Sequence, residues 1–253
     1  MEICQRELPI KPWMQAKTRR LPGIQPVKAG EWLLRDDAFA AQMAYRDTLI
    51  STQKDAVFRA TPESLPMQDE LLALVLSELD GGYKKGRAVT RPDGVHVPLE
   101  GSPLLTAARL VQEDLLIMDM TSEPRLTAAV LCFPASWSLE EKFGAGLVAI
   151  HGYVDEYTDE MATRVRRMFD AIRPEQPLWR ANFLRYVEAE LHQPRRVGEE
   201  KPVREAGAFV RVERQTLRKL PRTGAVVFGI HTYVIHWDQL NSAEQSAFIE
   251  ASA

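Results

Sequence analysis

Cysteine is scarce in this chain: Cys4 and Cys132 are the only two among 253 residues. Two thiols so far apart make no disulfide framework and no cysteine-based zinc pattern. Charge of one sign is lacking too. The 32 Lys and Arg nearly balance 35 Asp and Glu, for a net charge of −3. That leaves no electrostatic footprint for nucleic acid and no polybasic patch for a membrane surface. No apolar run approaches the roughly 18 residues of a membrane span. Met1 to Glu7 show no basic region followed by an apolar stretch, so no secretory signal is read there and the cytoplasm is expected. A glycine-rich phosphate loop, a Gly-x-Ser-x-Gly elbow and a His-Glu-x-x-His pair are all missing. Dinucleotide binding, serine hydrolysis and zinc proteolysis therefore have no motif to rest on.

What is present is ordinary globular material, 45% hydrophobic and 26% charged, enough for a sizeable core. Residues 1–30 hold Pro9, Pro12, Pro22, Pro26, Gly23 and Gly30 and read as an irregular arm; residues 31–253 read as one domain. Helices are expected over 36–53, through Leu72, Val75, Leu76 and Leu79 up to the stop at Gly81-Gly82, and over 103–114. Residues 84–102 read as loop. Leu115–Met118 and Thr127–Phe133 read as strands. Ser138-Leu139-Glu140-Glu141 opens a short helix. Leu147–Ile150 delivers His151, and a striped helix follows from Thr158 to Ile172. The C-terminal third alternates: Trp179, Ala181 and Phe183 against Arg180, Asn182 and Leu184, then Val210 and Val212 against Arg211 and Glu213. Gly224–Val234 is β-rich, and Ser242 opens a last helix. Helices first and long strands last predict an α+β fold with an antiparallel sheet.

The five histidines, His96, His151, His192, His231 and His236, form no ligand cluster. His231 and His236 would face opposite sides of a strand. In a strand, Arg214 shares the apolar face of Val210 and Val212. A buried guanidinium needs an anionic partner, either a protein carboxylate or a ligand carboxylate. Arg180 and Asn182 share another face, solvated or ligand-binding. Glu113, Asp114 and Asp119 gather near a helix-to-strand junction, where a buried carboxylate can hold a cationic amine.

Several segments together resemble one bacterial family. They are Leu110–Leu115, Leu126–Pro134, Trp137–Lys142, Ala149-Ile150-His151-Gly152, Arg173–Phe183, Arg211–Pro221, Gly224–Phe228 and Thr232-Tyr233-Val234. In order and spacing, across about residues 20–236, they are similar to the catalytic alpha subunits of heme-dependent oxidative N-demethylases. The resemblance implies a PAS-like antiparallel sheet flanked by helices and enlarged to hold heme b. It implies oxygen-dependent removal of a methyl group from a small secondary amine such as dimethylamine. It also implies partner subunits that carry flavin and an iron–sulfur centre, hence a hetero-oligomer.

On this likeness His151 is the axial iron ligand, with His192 and then Cys132 behind it. Arg180, Asn182 and Arg214 would attend the heme, and Glu113 and Glu213 would hold the amine. The chain departs from the family pattern in three places. Gly152–Tyr157 replaces a Pro-Val-Pro-Gly turn, His231 stands where the family has Arg, and Phe183 stands where it often has Trp. A non-enzymatic heme or small-ligand sensor is the alternative reading.

Overall fold

Two long strands organise the molecule, because each alternates between two covered faces. In the computed structural model, which describes residues 3–19, 23–121, 123–146, 167–196, 198–199 and 207–252, β9 (Phe209–Lys219) and β10 (Val226–His236) form an antiparallel ladder from Val226↔Lys219 to His236↔Phe209. Val, Ile, Thr and Tyr suit a pleated sheet buried on both sides. The turn between the strands is fixed from outside. Glu70 accepts from Arg222 N at 2.6 Å, Thr223 N at 2.9 Å and Thr223 Oγ1 at 2.7 Å. Gly224 supplies the positive φ of 72° on which this turn closes.

Around this pair the main sheet runs β1-β8-β9-β10-β6-β7-β2, every neighbour antiparallel. The remaining strands are β1 (Gln25–Pro26), β2 (Phe58–Ala60), β6 (Asp114–Asp119), β7 (Arg125–Val130) and β8 (Leu178–Tyr186). Helices α1 (Phe39–Thr52), α2 (Lys54–Val57), α3 (Leu65–Glu78), α4 (Pro103–Ala108), α5 (Leu139–Lys142) and α6 (Ser242–Ser252) flank it, as do helical residues 167–171. The fold is thus α+β with an antiparallel sheet.

The sheet's two faces carry different layers. One face packs Val210, Val212, Tyr233, Ile235 and Ala181 against Trp13 of the N-terminal arm and Phe248 of α6. Trp13 and Phe248 meet edge to face at 4.9 Å, a geometry aromatic quadrupoles favour. This is called the arm face below. The other packs Leu116, Leu126, Ala129, Leu131, Leu217, Val226 and Ile230 against Leu139, Phe169 and Ile172. It is called the patch face, for the polar residues it also carries.

Four local expectations need correction. Residues 84–102 are not plain loop: β3 (Lys84–Lys85), β4 (Ala88–Thr90) and β5 (His96–Pro98) form a small antiparallel sheet, turned at Gly94 with φ 85°. Glycine and proline there mark turns between strands too short to show a pattern. Helix α3 runs from Leu65 and buries Leu71 and Val75 fully, while Leu72 and Leu76 of the expected stripe are only partly covered. Helix α4 stops at Ala108 instead of running to Asp114. Just past its end, side chains take the next two carbonyls, Arg109 O by Arg91 Nη1 at 2.9 Å and Leu110 O by Tyr83 Oη at 2.8 Å. The last helix is capped one residue sooner than read. Asn241 Oδ1 accepts from Ala243 N and Glu244 N, and Glu244 returns a bond to Asn241 N.

Asp114, freed from the helix, starts β6 and pins three segments. Its carboxylate meets Arg46 Nη1 of α1 at 2.7 Å and accepts Cys132 N at 2.8 Å and Phe133 N at 2.9 Å. Both charged side chains are fully buried. Removing one partner leaves an uncompensated buried charge. Asp114→Ala is expected to destabilise the fold by about 3–5 kcal/mol, read as a lowered midpoint in urea. A loss under 1 kcal/mol would show that the pair does not anchor the sheet.

Candidate functional site

Period-two alternation sorts the candidate residues before any distance is measured. On β9, Arg214 and Thr216 lie on the arm face with Val210 and Val212, while Arg211, Glu213 and Gln215 lie on the patch face. The cross-strand partners follow: His231 sits beside Arg214, and Thr232 beside Glu213, which in turn pairs with Asn182 of β8. The sheet therefore separates the sequence candidates into two groups.

The arm-face group is a buried charge cluster. His231 is fully buried. Its Nε2 lies 3.0 Å from Asp36 Oδ2 and its Nδ1 3.1 Å from Glu113 Oε1. Asp36 also accepts from Gln5 Nε2 at 2.9 Å, Gln112 Nε2 at 3.0 Å and Ala38 N at 2.9 Å. With a carboxylate oxygen at each ring nitrogen, both nitrogens must donate, which only the imidazolium can do. Burial works against that charge, but the hydrogen bonds and charges of Asp36 and Glu113 outweigh it and push the pKa up to about 9. Burial likewise opposes the charge on Asp36, yet its bonds to His231, Gln112 and Gln5 hold its pKa below the ordinary value.

Arg214, 3% exposed, finds backbone rather than a carboxylate as its hydrogen-bonding partner. It donates to Glu31 O at 2.6 Å and Trp32 O at 3.4 Å and lies 5.4 Å from the Trp179 ring. Burial pushes its pKa down and Glu113 draws it back up. Glu113 Oε1 takes Leu34 N at 2.7 Å as well. Glu113 and Arg214 thus fasten the N-terminal segment to the sheet.

The patch-face group also holds unpaired atoms, as the arm face does at Glu113 Oε2 and Thr216 Oγ1. Arg211 is buried and held by Glu213 Oε1 at 3.1 Å, Leu191 O at 3.0 Å and Phe133 O at 2.5 Å. Glu213 Oε2 receives only two long amide bonds, from Asn182 Nδ2 at 3.3 Å and Gln215 Nε2 at 3.4 Å. Two donors on this face, Arg180 Nε and Thr232 Oγ1, are buried with no hydrogen-bond partner among the described residues. Burial lowers the Arg180 pKa, and Glu213 partly restores it. An unpaired guanidinium nitrogen and an unpaired hydroxyl each cost about 1–3 kcal/mol of desolvation, and both can donate to a polar ligand.

Of the sequence candidates, Arg180, Asn182 and Glu213 come together here, and Glu113 and Arg214 lie behind the sheet. The proposed pair Glu113 and Glu213 therefore does not form one site. Cys132 is fully buried. Burial, outweighing the pull of Arg46, pushes its thiol pKa up to about 12, so it is no ready thiolate. His192 Nδ1 lies 2.8 Å from Cys132 O, and its ring lines a cavity. His151 falls in 147–166, outside the described residues. Among the described residues no group of three or more His, Cys, Asp or Glu could hold a metal ion, and no helix is long and apolar enough to cross a membrane. Sequence reading missed Asp36, Thr232 and the part played by His231. The one signal for His231 was its place in a pattern where the resembled family carries a permanent cation.

The structure is an antiparallel α+β fold whose patch face carries unpaired donors at Arg180 and Thr232. The chain belongs to the family described as haem-dependent oxidative N-demethylase, alpha subunit-like, which it matches over residues 23–251. No curated protein matches it. The patch fits a heme in its donor chemistry: Arg180, Asn182 and Thr232 suit propionate oxygens.

The imidazolium has a stability consequence. A pKa raised from about 6.5 unfolded to about 9 folded makes His231's contribution complete below pH 6.5 and lost as pH rises through 9. Asp36, lowered when folded, contributes above its unfolded pKa of 3.8 and loses that as pH falls through its folded value. Urea midpoints should therefore plateau near neutrality and fall on the alkaline side by up to about 3 kcal/mol. The variant His231→Gln should be less stable at pH 7 and lack the alkaline fall. An unchanged alkaline limb would show that His231 is not the group responsible.

Proposed function

We propose that this chain binds heme b against the patch face and, as the catalytic subunit of an assembly, removes a methyl group from a small secondary amine such as dimethylamine. The observation that carries the reading is the pair of orphaned donors, Arg180 Nε and Thr232 Oγ1, on one sheet face of a chain belonging to a family described as heme-dependent. Bound heme would supply dioxygen activation. The amine, dioxygen, two electrons and two protons give the smaller amine, formaldehyde and water. The electrons come from a reductase partner carrying flavin and an iron–sulfur centre.

The chain's own residues then bind and orient. Arg180 would donate to a propionate, relieving a guanidinium that burial disfavours. Asn182, whose 3.3 Å bond to Glu213 is long, would be a second donor to the same group. Glu213 Oε2 would then accept an N–H of the substrate amine, while Arg211 holds Oε1. A carboxylate held rigidly at one oxygen and loosely at the other can bind a cation without moving. His151 is the iron ligand that the family likeness proposes. Arg214 and Glu113 serve the arm rather than the substrate.

The test is heme uptake followed by turnover. Purified protein reconstituted with hemin should show a Soret band, and with dithionite or a reductase, dioxygen and dimethylamine it should release formaldehyde. Arg180→Ala should weaken heme uptake roughly 10-fold or more, the worth of a hydrogen bond to a charged group. Glu213→Gln should raise KM for the amine while heme still binds. A heme spectrum with no amine-dependent oxygen use would favour a sensor, and no Soret band would end the heme assignment.

A further inference from the structure

The register of three neighbouring strands sets one carboxylate between an amide and a hydroxyl. Asn182 of β8 stands directly opposite Glu213 of β9, and Glu213 directly opposite Thr232 of β10. All three belong to the patch face. Arg211 puts both of its contacts to Glu213 on one oxygen, Nε to Oε1 at 3.2 Å and Nη2 to Oε1 at 3.1 Å. Oε2 is therefore the oxygen left to a ligand, held only by the long bonds from Asn182 and Gln215. Thr232 is 1% exposed, and its Oγ1 has no hydrogen-bond partner among the described residues.

Glu213 and Thr232 form the closer kind of cross-strand pair. Thr232 O accepts from Gln5 Nε2 at 3.4 Å and Gln42 Nε2 at 3.3 Å, so its backbone points away from β9. Opposed residues of that kind make the narrow, non-hydrogen-bonded pair, with Cβ atoms about 4.5 to 5.5 Å apart. This spacing suits one chemistry. Two acceptors that each sit about 2.8 Å from one tetrahedral nitrogen lie about 4.6 Å from each other. An ammonium with two N–H groups can then give one to Glu213 Oε2 and the other to Thr232 Oγ1. The branched Cβ of threonine restricts χ1 and so holds the hydroxyl's direction. A hydroxyl donates once and accepts twice, so Thr232 can donate to a propionate and still accept from the ammonium. The unpaired hydroxyl of the arm face offers no such pair. Thr216 stands opposite Gly229 and Trp179, with no carboxylate in its row.

We propose that Thr232 is a specificity-determining residue, the second acceptor that selects an ammonium with two N–H groups over one with a single N–H. The inference rests on the function proposed above. A trimethylammonium ion keeps one N–H for Glu213 and turns a methyl group to Thr232, and a buried polar group left unpaired is how a site rejects such an analogue. The experiment is calorimetric titration of the hemin-reconstituted full chain with dimethylammonium and trimethylammonium chloride, in wild type, Thr232→Val and Thr232→Ser. Valine keeps the shape and removes the hydroxyl; serine keeps the hydroxyl. Wild type is expected to bind dimethylammonium about 10-fold or more tighter than trimethylammonium, the worth of a hydrogen bond to a charged group. Thr232→Val should lose that preference by weakening dimethylammonium alone, and Thr232→Ser should keep it. In turnover the valine variant should raise KM for dimethylamine more than it lowers kcat. Equal weakening of both ions in Thr232→Val would mark a structural role and overturn the inference, as would an unchanged preference in that variant or none in wild type. Each of these outcomes leaves the heme reading standing while the Soret band forms. A wild-type protein that takes up no hemin, or binds neither ion, would overturn this inference together with the function proposed above.

Discussion

The two-residue period of the β9 and β10 ladder decides where every polar side chain of consequence can go. A strand buried on both sides has no solvent face on which to discard charge. Each charged residue in Arg211–Arg214 must therefore find a partner in one of two separate layers. Arg211 and Glu213 find each other on the patch face. Arg214 finds the carbonyls of Glu31 and Trp32 on the arm face. Shifting the register by one residue would exchange the two sets and leave all of them unpaired. Ladder, arm and patch are thus one solution, and the turn held by Glu70 sets the register from which it follows.

The two faces use charge differently. On the arm face an imidazolium lies between two carboxylates, and glutamine side chains fill acceptor sites of Asp36, while Glu113 Oε2 has no hydrogen-bond partner among the described residues. Such a cluster fixes geometry at the cost of desolvation, and its value lies in specifying one docked arrangement rather than in net energy. On the patch face the account stays open, with Arg180 and Thr232 short of partners. Incomplete satisfaction is where a protein keeps binding energy in reserve for something it has yet to meet.

Much of the fold was legible because it rests on local periodicity. The α+β order, the strand at Leu115–Met118 and the alternation through Trp179–Phe183 and Val210–Glu213 reappear in the sheet, while the strand expected over Thr127–Phe133 lies at Arg125–Val130, with the Cys132 and Phe133 amides given to Asp114 instead. The three short strands between Lys84 and Pro98 were not legible, since two or three residues cannot show a period. Burial of Arg214 was readable from its face, but its partners were not, because backbone carbonyls leave no trace in residue type. For the site, the likeness singled out Arg180, Asn182 and Glu213, and the structure brings them together. It could not reveal that Glu113 stands behind the sheet, since Glu113 adjoins Asp114 in sequence while a whole sheet layer separates it from Glu213 in space. Nor could it show that His192 is oriented by the carbonyl of Cys132, a bond spanning 60 positions.

The docking of the arm also bears on the order of assembly. Gln5 grips Val234 through both backbone and side chain across 229 positions of sequence, and Asp36 meets His231 across 195. On the ribosome the arm emerges long before the strand that receives it. During synthesis it must stay undocked, with Trp13 and Leu8 exposed, until β10 has left the exit tunnel and paired. Contacts at such separation carry the largest loop-closure cost and form late. Completion of the arm face is therefore a proofreading step: it can occur only on a chain whose last long strand is in register.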